Sequence, residues 1–169
     1  MKKEIIIYGY GNPGRQDDGL GNAFIEHLEE WAQENRFDWM DFDSNYQLNI
    51  EDAELIADRK VAIFVDASVE DIDDFCVTVV NPEAAQIEFT MHAVSPSFVL
   101  QLCNEIYHNS PDTYLLHIKG YEWEFKEEIS ENAIKNMNKA LYYLKDILKA
   151  GSMDLINENL SKSVILSHC

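Results

Sequence analysis

The sequence predicts an α/β domain: a single twisted, mostly parallel sheet of about five strands sandwiched between helices. Three observations predict it. Short apolar runs alternate with stretches whose apolar residues recur every three or four positions, which is the pattern of strands separated by helices. The first run, Ile5 to Tyr8, is continuous and passes directly into glycines, as a buried parallel strand does where it feeds a turn. The strongest run, Val61 to Val65, is purely apolar and is closed by a single carboxylate, Asp66.

Each element has its own local pattern. From about Leu20 to Ala32, Phe24, Ile25, Leu28 and Trp31 recur at helical spacing, and Phe37 to Phe42 reads as a second strand. Ile50 to Ala57 is a short helix, Val61 to Val65 the third strand, and Cys76 to Val80 a β-branched fourth. Ser95 and Pro96 supply the N-cap and first residue of another helix, with Val99, Leu100, Cys103 and Ile106 along one of its faces. Tyr114 to Ile118 is a further strand. Ser130 opens the last long helix, carried by Ile134, Met137, Leu141, Leu144 and Leu148, favoured by Lys145 and Lys149 in its last turns and stopped at Gly151. The residues after Gly151 fit either a short amphipathic helix plus strand or a partly ordered tail. We expect one domain over 1–150 and a C-terminal extension over 151–169 that is not a second domain.

At 169 residues the chain is long enough to bury a full core, and its 46% hydrophobic and 26% charged composition is globular. Thirteen basic residues stand against 31 acidic ones, for a formal charge of −18, which repels nucleic acid and anionic membrane surfaces. That charge serves solubility, or else a basic partner or recruited cations. No apolar stretch approaches the ~20 residues of a membrane span. Cys76, Cys103 and Cys169 form no regular spacing, which fits a reducing compartment better than a disulfide framework, so the expected location is the cytoplasm. Cys76 and Cys103 read as buried inert thiols, and Cys169 as too mobile to anchor a site.

Gly9-Tyr10-Gly11-Asn12-Pro13-Gly14 matches the dinucleotide fingerprint literally, between a strand and a helix, with Asp41 or Asp43 available as a ribose ligand. Against that reading, Asp17 and Asp18 occupy the turn where a pyrophosphate would sit, and two carboxylates at roughly 4–6 Å oppose an anion. The glycines then serve a sharp turn that stands the carboxylates above the sheet; alternatively the two acids are an ordinary acidic helix start. Asp66 lies at the ligand edge of the sheet, hydrated, paired, bound to a cation, or acting as an N-cap. His92 sits in a loop just before a helix, whereas His27 and His108 fall on helices, His117 within a strand and His168 in the tail. Asp18, Asp66 and His92 thus come from loops on one edge of the sheet. Two carboxylates and an imidazole suit a first-row divalent metal such as nickel or zinc. No H-E-x-x-H, C-x-x-C or G-x-S-x-G is present, and no nucleophilic side chain stands out, so an attacking group would be water.

Taken together, several segments resemble the hydrogenase maturation endopeptidases. They are Gly9-x-Gly11-Asn12 through Asp17-Asp18-Gly19-x-Gly21, then Tyr46-Gln47-Leu48-Asn49-x-Glu51-Asp52-Ala53, then Ile63-Phe64-Val65-Asp66-Ala67. His92-x-x-Ser95-Pro96-x-x-x-Leu100 and Gly120-Tyr121-Glu122-Trp123-Glu124-Phe125 leading to Ile129-Ser130 complete the series. The resemblance spans about residues 3 to 150. It implies removal of a C-terminal extension from the immature large subunit of a nickel-iron hydrogenase once nickel is inserted. It also implies that Asp18, Asp66 and His92 contact the metal, which the precursor contributes, with zinc or another divalent ion as a substitute. Asp17 would be a neighbouring catalytic carboxylate that orients or deprotonates water. Two departures stand out: Asp18 is one methylene shorter than the glutamate the family also allows, and Lys126 stands where a glycine is expected. Two other functions share these residues: a nickel-sensing maturation chaperone that does not cut, and a nucleotide-binding protein using the Gly9–Gly14 loop.

Overall fold

The computed structural model describes residues 3–82, 94–166 and 169. Strands β1 (Ile5–Tyr10), β2 (Met40–Asn45), β3 (Val61–Ser68), β4 (Phe75–Val79) and β5 (Asp112–Lys119) form one sheet in the order β2-β1-β3-β5-β4. Four strands run parallel and β4 runs antiparallel to β5 on the edge. This is the predicted architecture. Helices α1 (Leu20–Glu34), α2 (Asp52–Ala57), α3 (Pro96–Tyr107), α4 (Glu131–Leu148) and α5 (Met153–Leu166) cover the two faces.

Alternation along β1 and β3 divides the core. Ile5, Ile7, Ile63 and Val65 face α1 and α4 with Phe24, Leu28, Leu144 and Leu148, while Ile6, Tyr8, Ala62 and Phe64 face α2 and α3 with Ile56, Val99 and Leu100. A strand buried on both faces must read as a continuous apolar run, which is why β1 and β3 are the clearest signals in the sequence. The second strand lies three residues later than expected. Phe37 and Trp39 pack side by side as part of an aromatic cluster with Trp31 rather than in the ladder.

The residues after Gly151 form a helix through Leu166, and the core does not stop at 150. Ile156 and Leu160 of α5 are fully buried in the same cluster as Val77 and Tyr114, and the Tyr114 hydroxyl lies 2.9 Å from Ser161 Oγ. The cysteine expectation also changes. Cys76 and Cys169 are joined by a disulfide, with Cα atoms 5.8 Å apart across 93 residues of sequence, and Cys103 alone is a buried free thiol. No spacing rule reveals a pairing between residues so far apart in sequence. No helix among the described residues is long and apolar enough to cross a membrane.

Candidate active site

In this strand order the chain leaves β1 toward β2 on one side and reaches β3 on the other. The switch point, where open α/β sheets collect ligands, therefore lies between the carboxyl ends of β1 and β3. The turn after β1 is built there with no spare room. Gly11 has φ +145° and lies against the Asp18 carbonyl, so a side chain is excluded on both counts. A β-carbon on Gly21 would stand 2.5 Å from the Val65 carbonyl oxygen and 2.8 Å from that of Tyr10, so α1 begins flush against both strands. Close approach, rather than phosphate binding, accounts for these glycines. The Asn12 N–H, a donor that a phosphate would need, instead donates to Asp18 Oδ2 at 2.9 Å. Asp41 is likewise engaged, by Arg59 at 2.8 Å and Lys3 at 3.5 Å.

Asp18 and Asp66 come together electrostatically. Burial pushes the Asp66 carboxyl up to about 7; the Tyr10 hydroxyl and the Ala67 N–H, which bond to it, pull the other way, and the charge of Asp18 adds to the rise. Burial, followed by the Asp66 charge, also holds the Tyr10 phenol well above its ordinary value. Among the described residues no lysine or arginine forms an ion pair with Asp18 or Asp66, although eight ion pairs form elsewhere. Two interacting carboxylates without a cation favour either a shared proton or a bound metal ion. This donor set of hard oxygens fits a divalent first-row metal with coordination positions left over. His92, the third residue of the expected set, lies outside the described residues. The helix after it begins as predicted, with Ser95 Oγ accepting the Phe98 N–H at 3.1 Å and Pro96 in the first turn.

Asp17 has different surroundings. It is fully buried and accepts from the N–H groups of Tyr121 (2.7 Å), Glu122 (2.9 Å) and Ser130 (2.7 Å) and from the Ser130 hydroxyl (2.7 Å). Burial alone would raise its pKa, but those donors more than offset it and hold the carboxyl below its usual value. Four donors use the lone pairs that a general base needs, so the geometry does not fit the expectation that Asp17 deprotonates water. It anchors a loop instead. Residues 120–130 contain no helix or strand, and their backbone is stitched to the 15–17 segment. The Gln16 N–H donates to the Lys126 carbonyl at 2.8 Å, Gln16 Oε1 accepts the Glu124 N–H at 3.0 Å, and Arg15 Nε donates to the Trp123 carbonyl at 3.0 Å. Lys126 is not among the residues with positive φ, so this loop closes without the glycine expected there.

Sequence pattern alone does not single out Tyr10, Gln16 or Ser130. Tyr10 occupies a variable position inside the glycine motif, although a phenol beside a strand-end carboxylate is a donor worth noting. Ser130 reads from its context only as the N-cap of α4, a bond it makes to the Ala133 N–H at 3.4 Å in addition to holding Asp17.

The fold recurs in known structures. The NiFe hydrogenase maturation protease HycI from Thermococcus kodakarensis superposes with a TM-score of 0.66 at 21% identity, covering 95% of this chain and 94% of that one. The hydrogenase maturating endopeptidase HybD from E. coli gives 0.66 at 18% identity, covering 89% and 94%. The hydrogenase 2 maturation peptidase from a Thaumarchaeota archaeon gives 0.63 at 18%, covering 86% and 98%. The chain has the hydrogenase maturation protease fold. Neither a protein-family model nor a curated protein sequence matches it.

Proposed function

We propose that this chain is an endopeptidase that removes a C-terminal extension from the immature large subunit of a nickel-iron hydrogenase after nickel insertion. The observation that carries the reading is the pair Asp18 and Asp66. Two coupled carboxylates stand at the switch point of a fold shared with hydrogenase maturation proteases, without a cationic partner among the described residues. The nickel belongs to the precursor, and Asp18, Asp66 and His92 are the groups that contact it; zinc would fit the same donors. Bound there, a divalent cation would lower the pKa of a coordinated water.

The chain's own residues do the rest. The Tyr10 hydroxyl orients the Asp66 carboxyl, and the Asn12 N–H orients that of Asp18. With its metal-free pKa near neutrality, Asp66 gives up its proton readily at working pH to a cation that would bind between the two carboxylates. We assign the metal-contacting role to the Asp18–Asp66 pair and the loop-anchoring role to Asp17. The cytoplasm is the proposed location, since that is where this acidic chain would meet a nickel-loaded precursor.

The test is incubation of the chain with nickel-loaded and nickel-free precursor, then mass measurement of the large subunit. Shortening of the loaded form alone is expected, and its loss in Asp18→Ala, Asp66→Ala and His92→Ala with the fold retained. Binding of loaded precursor without any shortening would replace the endopeptidase with a nickel-sensing chaperone.

A further inference from the structure

We propose that Cys76, His117 and Cys169, when the Cys76–Cys169 bridge is reduced, form a second metal site with a Cys2His donor set for a zinc-class divalent cation. His117 is the register partner of Asp66 across β3 and β5, so the site adjoins the Asp18–Asp66 pair, but it shares no ligand with that pair and is independent of the proposed proteolysis.

The sheet builds two of the ligands. Cys76 on β4 stands directly opposite His117 on β5 in the antiparallel ladder, and opposed residues share a face with β-carbons about 4.5–5.5 Å apart. Cys169, bonded to Cys76 in the oxidised chain, supplies the third. The ligand atoms of all three lie within 4.8 Å of one another. A tetrahedral zinc ion with Zn–S of about 2.3 Å and Zn–N of about 2.0 Å sets its ligand atoms roughly 3.3–3.8 Å apart, inside that envelope.

Chemistry selects the ion. Two thiolates and an imidazole favour zinc over the hard cations that suit carboxylate sites. His117 also has the outer partner that ligating histidines require: Thr78 Oγ1 lies 2.8 Å from Nε2, which holds the ring and leaves Nδ1 as the nitrogen free to ligate. Cys76 is buried and Cys169 exposed, so the cluster has a closed back and an open front, with room for a water as fourth ligand. Binding releases the two thiol protons and involves no electron transfer. Bridge and metal exclude each other because bridged sulfurs carry no thiolate. In a reducing compartment such a cluster is more characteristic of a metal site than of a lasting disulfide.

The experiment compares the full chain treated with a phosphine reductant against the oxidised chain. Zinc is titrated in competition with a chromophoric chelator, and cobalt serves as an optical probe. One additional equivalent of zinc is expected in the reduced chain, together with a thiolate-to-cobalt charge-transfer band. Cys169→Ser and His117→Ala should abolish both signals, and Thr78→Ala should weaken zinc binding about 10-fold. Asp66→Asn should leave them intact. Equal zinc uptake by reduced and oxidised chain overturns the proposal. So does full binding by Cys169→Ser, whose exposed position makes misfolding no explanation. Loss of the signal in Asp66→Asn would assign the zinc to the carboxylate pair instead.

Discussion

Asp17 and Asp66 are carboxylates at the same edge of the same sheet, and their surroundings treat negative charge in opposite ways. Around Asp17, three backbone N–H groups and a hydroxyl converge on a side chain with no exposed surface, and its proton is lost more readily than from a free carboxyl. Around Asp66, burial and a neighbouring acid outweigh the Tyr10 and Ala67 bonds, and its proton is kept to about pH 7. The adjacent residue Asp18 belongs to the second environment, so a single step along the chain separates an anchor from a site. A satisfied buried carboxylate is architecture; one left short of partners is available for chemistry.

The most severe way to break the comparison is Asp17→Ala. Removing the acceptor strands several buried donors of the 120–130 loop, and a loss of about 3–5 kcal/mol is expected. Thermal unfolding should show a fall of roughly 10 °C in a domain of this size. A change within about 0.5 kcal/mol, the range of an ordinary surface substitution, would show that the loop does not depend on Asp17.

Next comes Ser130→Ala, which removes one bond to Asp17 and the cap of α4 together. Its cost should be about 1–2 kcal/mol by denaturant titration.

Asp66→Asn sharpens the contrast by changing sign. The folded state holds the Asp66 proton more tightly than the unfolded chain does, so stability falls as pH rises from the ordinary carboxylate range of ~4 to about 7, and the penalty is complete above that. Asp66→Asn should therefore unfold at a higher temperature than the parent at pH 8 and show little difference at pH 4. Asp17 contributes in the other direction: its folded pKa is lowered, so its stabilisation is present above the ordinary carboxylate range and is lost in acid. The parent should be most stable between the two windows, and a flat difference profile for Asp66→Asn would remove the distinction. The smallest effect on stability belongs to Asp18→Asn, within about 1 kcal/mol. That same substitution should abolish precursor processing, measured by mass.

The sequence discloses the parts of this molecule that depend on periodicity and falls silent where distant segments meet. The burial of β1 and β3 on both faces is legible in Ile5–Tyr8 and Val61–Val65, and the start of α3 in Ser95-Pro96, because each pattern is local. The carboxylate edge is legible because Asp66 interrupts an apolar run. The division of labour between Asp17 and Asp18 is not, since it is decided by donors more than 100 residues away at Tyr121, Glu122 and Ser130. The same reason hides α5: its Ile156 and Leu160 are ordinary apolar residues until Val77 and Tyr114 are seen beneath them. His92 belongs to neither category, because it lies outside the described residues.

The seat of Gly21 against the Val65 and Tyr10 carbonyls bears on how far such a sequence can drift. A joint with no clearance is indifferent to what surrounds it. Glu26, Glu29 and Glu30 on the outer side of α1 are exposed and can be exchanged with little effect on where the helix begins. One added carbon at Gly21 would lift that beginning away from the sheet and carry Asp18, three residues before it, away from Asp66. Distance between the carboxylates is therefore protected by the smallest side chain in the helix, and tolerance to change along α1 should rise steeply within a turn or two of it.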